Sequence, residues 1–237
     1  MKKLAKDMTV KELAQYIDYS ILKPEFTQQE IIEETKKAIQ YGCKTVCINP
    51  SAIELVREYV KDTDTELCVV CDFPFGASST QSKVLQANEI CKQNIFELDI
   101  VANYGLIRSH RWQEVTEDIK QVCDVCHDYN VAVKVIFETD ALTSEEVVQA
   151  TKCAIEAGCD FVKTSTGFFT GTNLNSPKSG AFTEQIQLML DTAQKRIKVK
   201  GSGAIRDRQH FLDLIDMGID RMGVGYKSVP VVLGLDE

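Results

Sequence analysis

Short apolar runs recur along the chain, each closed by a turn signal and most followed by a longer stretch in which apolar positions return every three or four residues. The runs at residues 17–22, 44–48, 66–71, 96–101, 131–137, 161–163, 197–200 and 221–225 have the length of buried strands. Residues 27–42, 51–60, 80–93, 114–129 and 143–158 read as the intervening helices. Thr9 with Glu12, Thr27 with Glu30, and Thr143 with Glu146 have the spacing of capping boxes, and the first predicts a short leading helix. Gly42, Gly158 and Gly218 stand where left-handed helix ends are wanted. Eight such units at intervals of roughly 25 to 35 residues predict a (β/α)8 barrel. An open doubly wound sheet is the alternative, although it would not ordinarily need eight regular units. No Gly/Ser/Pro tract or charge block divides the chain, so residues 1–237 are expected to form one domain. The longest loop predicted is 166–178, which in a barrel would lie over the catalytic face.

Composition narrows the partners. With 237 residues, 44% of them hydrophobic, the chain can bury a full core. A formal net charge of −8 argues against nucleic-acid and anionic-membrane surfaces and for small-molecule ligands. The basic start, Met1 to Asp7, runs into Thr9-Val10-Lys11-Glu12 rather than an apolar leader, and no apolar run approaches a bilayer's width. A cytoplasmic protein is expected, and a homodimer as the commonest closed oligomer.

Nine cysteines in such a chain read as reduced core residues. Cys68/Cys71 fall in a strand, where positions three apart face opposite ways and cannot chelate one metal. Cys123-Asp124-Val125-Cys126-His127 has the spacing of a haem attachment site, but it lies in an amphipathic helical pattern. Neither a metal nor a cofactor is expected.

Among the ionisable residues within or ending the apolar runs, Asp18, Asp99, Lys134, Lys163 and Lys200 stand out. Lys163 ends the run Phe161-Val162 and is followed by Thr164-Ser165-Thr166-Gly167. A lone strand-end lysine usually only extends its stem to solvent. Several lysines at equivalent barrel positions are hard to explain by solubility. Two ammonium groups about 4 Å apart at an effective dielectric near 20 repel by about 4 kcal/mol, which would make a neutral amine accessible at pH 7. Such an amine can attack a carbonyl and form an iminium electron sink, with Asp99 holding the water or hydroxyl whose proton moves.

Phe161 to Gly167 resembles the Schiff-base signature of the DeoC-type deoxyribose-phosphate aldolases. The resemblance extends through Asp18 to Pro24, Val46 to Pro50, Phe73 to Gly76, Glu97 to Val101, Lys134 to Thr139 and Lys200 to Arg206. It implies a class I aldolase that reversibly cleaves 2-deoxy-D-ribose 5-phosphate to acetaldehyde and glyceraldehyde 3-phosphate, in deoxyribonucleotide catabolism. Lys163 would form the imine, Lys200 would depress its pKa, and Asp99 would work with a water. Asp18, Ser20, Cys47, Lys134, Thr166, Gly167, Gly203, Ala204, Gly223, Gly225 and Tyr226 would lie near the substrate, Lys134 as a charge partner. Cys47 also fits a plain buried core residue.

The departures gather where the phosphate should bind. Gly203-Ala204 replaces a Gly-Gly pair, and Gly223-Val224-Gly225-Tyr226-Lys227-Ser228 replaces a hydroxyl-rich turn. No lysine follows Gly167, where some members carry one, and Phe168-Phe169 is bulkier than the usual loop. Backbone N–H groups at Gly225 and Tyr226, with Lys227 nearby, could still hold a phosphate. A Schiff-base aldolase for a different sugar, phosphorylated or not, and a non-catalytic sugar-binding barrel are the alternative readings.

Overall fold

The computed structural model describes residues 3–174 and 179–235. Eight strands, β1 (Ile17–Ile21), β2 (Thr45–Ile48), β3 (Glu66–Cys71), β4 (Glu97–Val101), β5 (Ala132–Ile136), β6 (Phe161–Lys163), β7 (Lys198–Ser202) and β8 (Arg221–Gly225), pair in chain order. All the pairings are parallel, and β8 closes on β1 with Asp18 opposite Gly223. This is the predicted (β/α)8 barrel, and the open sheet is set aside.

The helices before β5 are α1 (Val10–Ala14), α2 (Gln28–Tyr41), α3 (Ile53–Val60), α4 (Thr80–Cys91), α5 (Tyr104–Arg108) and α6 (Trp112–Asp128). After it come α7 (Ser144–Glu156), α8 (Thr183–Ala193), α9 (Arg208–Met217) and α10 (Val229–Leu233). The capping boxes form as spaced: Thr9, Thr27 and Thr143 accept from the N–H three residues on, and Glu12, Glu30 and Glu146 return the bond. Gly42 and Gly218 take the left-handed cap conformation at the ends of α2 and α9. The expectations differ from the structure where an element is too short to show its period. α5 precedes α6 as a separate turn, α6 starts at Trp112, and β7 runs on through Gly201-Ser202. Of the long loop, 175–178 lie outside the described residues.

Each strand turns one face to the helix ring and the other to the barrel axis. The outward faces supply most of the core, with Tyr19, Val46, Val69, Leu98, Val133, Val162, Val199 and Val224 packed beneath helices. The inward faces are far more polar. A smaller apolar cluster of Leu22, Cys47, Cys68 and Val70, capped by Phe73 and Phe168, fills one side of the barrel mouth.

The nine cysteines are all free and buried. Cys68 points to the axis, its thiol 3.2 Å from Asp99, while Cys71 points outward to Gln86 on α4. Cys123 and Cys126 are buried on α6, and His127 pairs instead with Asp160 at 2.9 Å. That geometry leaves the Cys-x-x-Cys-His segment as a helix face rather than a haem site. After β3, Gly76 at φ 62° lies so close to the next turn that a β-carbon would stand 2.3 Å from the Ala102 carbonyl oxygen. No helix among the described residues is long and apolar enough to cross a membrane.

Candidate active site

Strand alternation and parallel register bring the predicted charges together on the axis. Lys163 is the last residue of β6 and pairs in register with Lys200 on β7, while Asp99 on β4 pairs with Lys134 on β5. Asp99 is the hub. Its Oδ2 accepts from Lys163 Nζ and Lys200 Nζ, each at 2.7 Å, so the two nitrogens lie within twice that distance of one another. Its Oδ1 accepts from Lys134 Nζ at 2.9 Å.

A second tier lies deeper. Lys200 Nζ is 2.5 Å from Asp18 Oδ2, and Lys134 Nζ is 2.6 Å from Glu97. Arg221, at the start of β8, reaches Asp18 Oδ1 at 2.6 Å and Glu97 at 3.1 Å, and Thr45 donates its hydroxyl to the same Asp18 oxygen. Four cations thus meet three carboxylates in this cluster. Burial disfavours the charges of Asp18, Asp99, Lys134, Lys200 and Arg221, yet the opposite charges beside them prevail. For Asp99, burial is outweighed by Lys134, Lys163 and Lys200, which hold its carboxyl well below the usual carboxylate range. For Lys200 and Lys134, burial is outweighed by Asp18 and Asp99, which hold both ammonium groups above the usual lysine range.

This corrects one expectation. The sequence reading placed two bare ammonium groups side by side, whereas the structure sets the Asp99 carboxylate between them. Lys200 is a firmly charged neighbour of Lys163, tied into the cluster through Asp99 and Asp18.

Above the cluster is a cavity of about 220 Å³. Of the interior lysines, Lys163 lines it. The predicted residues Ser20, Thr166, Gly167, Gly203, Ala204, Gly223, Gly225 and Tyr226 line it too. Asp18, Asp99, Cys47, Lys134 and Lys200 do not. All five are buried: Asp18, Asp99, Lys134 and Lys200 lie on the axis two or more residues before the ends of β1, β4, β5 and β7, and Cys47 packs in the apolar cluster at the barrel mouth. Cys47 faces the axis beside Cys68, whose hydrogen bond pulls the Cys47 thiol down while burial pushes Cys68 up.

Besides Lys163, the cavity's basic side chains are Lys23 and Arg206. Lys227, expected there, is exposed, with its ammonium 5.7 Å from the centre of the Tyr226 ring. Gly203 and Ala204 follow β7 with φ of 85° and 57°, so Ala204 keeps a glycine-like backbone despite its methyl. Phe168 also lines the cavity, edge-on to Phe73 at 5.4 Å.

Sequence reading did not single out Glu97, Arg221, Lys23, Arg206, Ser202 or Glu138. Glu97 and Arg221 open their strands and read as polar edges. The barrel turns those positions inward, and a lone charge at a strand start carries no signal of that.

Two trios, Cys47/Cys68/Asp99 and Asp18/Cys68/Glu97, have ligand atoms within 4.8 Å of one another. Neither suits a metal ion. Lys134 Nζ stands 3.2 Å from Cys68 Sγ, 2.9 Å from Asp99 and 2.6 Å from Glu97, so an ammonium already holds the position a cation would take.

Comparison with known proteins agrees with this geometry. The model of the DeoC/LacD family aldolases matches residues 12–228. The deoxyribose-phosphate aldolase of Thermococcus kodakarensis is 39% identical over 97% of this chain and 100% of its own. That of Clostridium botulinum is 41% identical over 90% and 95%. Among solved structures, the aldolase QR15 superposes with a TM-score of 0.83 at 35% identity, covering 93% of this chain and 94% of its own. The chain belongs to the DeoC/LacD family of aldolases.

Proposed function

We propose that the protein is a Schiff-base aldolase that reversibly cleaves 2-deoxy-D-ribose 5-phosphate into acetaldehyde and glyceraldehyde 3-phosphate. The observation that carries this reading is the position of Lys163: of the three lysines gathered on Asp99, it is the one at the cavity wall. Lys134 and Lys200 are held as ammonium ions by the carboxylates around them. Lys163 alone of the three has its amine where a substrate carbonyl can reach it, which makes it the nucleophile.

In the cleavage direction the Lys163 amine adds to the C1 aldehyde, and loss of water leaves an iminium ion. The C3 hydroxyl yields its proton, its oxygen forms the new carbonyl, and the C2–C3 bonding pair moves into the iminium to give an enamine. Glyceraldehyde 3-phosphate departs. The enamine takes a proton at C2, and water releases acetaldehyde and the free amine. Asp99 lies below the cavity floor, so its part is to hold Lys163 in place and, through a water, to accept and return the C3 proton. Lys200 stabilises the Asp99 carboxylate that faces the iminium charge.

Support for phosphate recognition comes from Gly203-Ala204 and Gly225-Tyr226 beside Arg206 and Lys23 on the cavity wall. A second reading, an aldolase for unphosphorylated substrates, is favoured by the Phe168 ring in the same wall. Borohydride trapping with peptide mapping tests both. An adduct on Lys163 formed faster with deoxyribose 5-phosphate than with deoxyribose supports the first reading, and the reverse order supports the second. Lys163→Ala should abolish trapping and turnover together, and turnover that survives this change refutes the imine mechanism.

A further inference from the structure

The β5–β6 ladder ends at Ile136 opposite Lys163, yet the two chains stay joined beyond it. Phe137 donates its N–H to the Lys163 carbonyl at 3.0 Å, and Thr139 donates to the Thr164 carbonyl at 2.9 Å. Between them, Glu138 sits at φ 56°, ψ 63°, a left-handed conformation that a β-carbon disfavours. Its side chain is only 2% exposed, and burial pushes its carboxyl above the usual range while bonds from Thr166 pull the other way.

Those bonds extend the ladder. Both carboxylate oxygens accept the Thr166 N–H at 3.3 Å, and one accepts the Thr166 hydroxyl in a short contact. Thr166 Oγ1 in turn accepts the Phe168 N–H at 3.0 Å. Three consecutive residues therefore hold 163, 164 and 166, and through 166 they reach 168. Thr166, Gly167 and Phe168 all line the cavity beside Lys163, whereas Glu138 does not. Asp140 and Tyr104 are the other titratable neighbours of the Glu138 carboxylate, and Lys163 is the nearby cation.

We propose that Glu138 is a positioning residue for the imine site. It acts by the reach of its carboxylate rather than by its charge, setting Thr166-Gly167-Phe168 at the height from which they hold substrate against Lys163. The kinetic part of this proposal rests on the aldolase reading above.

Two near-isosteric changes separate reach from charge. Glu138→Gln keeps the reach and loses the charge, while Glu138→Asp keeps the charge and is one methylene short. Amide hydrogen exchange over residues 164–169 is read in the substrate-free protein, and cleavage kinetics are read with deoxyribose 5-phosphate. In Glu138→Asp the Thr166 and Phe168 amides should exchange about tenfold faster, and KM should rise about tenfold with kcat within threefold of the parent. Glu138→Gln should stay within threefold of the parent in all three.

The opposite ranking, with Gln impaired and Asp intact, overturns the proposal. So does equal exchange in the three proteins, or a fall in kcat at constant KM. If Glu138→Asp fails to fold, Thr166→Val takes its place: faster exchange at Phe168 supports the relay, and unchanged exchange refutes it. The exchange measurement needs no turnover, so a parent protein that cleaves nothing would sink the aldolase reading while the exchange ranking still judges Glu138.

Discussion

Asp99 and Lys163 are partners in one contact, but their removal has unequal consequences. Without Lys163, Asp99 Oδ2 still accepts from Lys200 and Oδ1 from Lys134, so no carboxylate is stranded. Lys163→Ala should therefore cost less than about 1.5 kcal/mol of stability while abolishing activity. Lys134→Met removes the cation that touches both Asp99 and Glu97 and leaves buried charge uncompensated, which should cost about 3–5 kcal/mol. Urea denaturation of the two variants checks the contrast, and equal losses would contradict it.

The same residues set the acid response. Burial opposes ionisation of Asp18 and Asp99, but their cations hold both carboxyls below the unfolded value of about 4. Folded, they bind fewer protons than unfolded, so their contribution is full above about pH 4 and is lost as pH falls below it. Glu138 and Asp140 are raised by burial, so their ionisation costs stability as pH rises through their folded values. Urea midpoints should therefore hold level or rise slightly from pH 7 to about 5 and fall steeply below 4. A steady decline beginning at neutrality would contradict that balance.

At the scale of elements, turn geometry does what helix propensity cannot. The turn after β3 lies against the turn after β4 at Gly76, where a β-carbon would meet a carbonyl oxygen and the backbone is left-handed. Gly76→Ala should cost about 3 kcal/mol or more, measured by urea denaturation, because neither backbone segment is a flexible side-chain end. The sequence showed this turn only as Phe73-Pro74-Phe75-Gly76, a string of turn residues without its partner. It showed the capping boxes fully, since their bonds are local and spaced by three residues. It missed α5, whose five residues are too few to show a helical period, and the docking of α4 through Lys83, which is buried against Asp118 at 2.7 Å. Period-two alternation told which way Lys134 and Lys200 point but not how deep they lie. Depth depends on barrel register, which no local pattern carries: Asp18 and Cys47, expected near the substrate, are fully buried and do not line the cavity, while Lys134, expected as a charge partner, pairs with Asp99.

Across the whole molecule, a chain of net charge −8 gathers buried cations and carboxylates on the barrel axis, and Lys163 is where that cluster meets the cavity. The barrel count was legible because eight units repeat at nearly constant length. Its closure rests on contacts that no segment announces. The seam between β1 and β8 is sealed by the Met222 N–H on the Tyr16 carbonyl at 2.7 Å and by Arg221 on Asp18, residues more than 200 positions apart. Without β8, Asp18 lacks Arg221 and the barrel has an open edge, and bringing residues this far apart together costs loop-closure entropy that contacts within one unit do not. Substitutions at Arg221 should accordingly act on how fast the chain matures and how much of it aggregates beforehand, long before any difference appears in the finished enzyme's turnover.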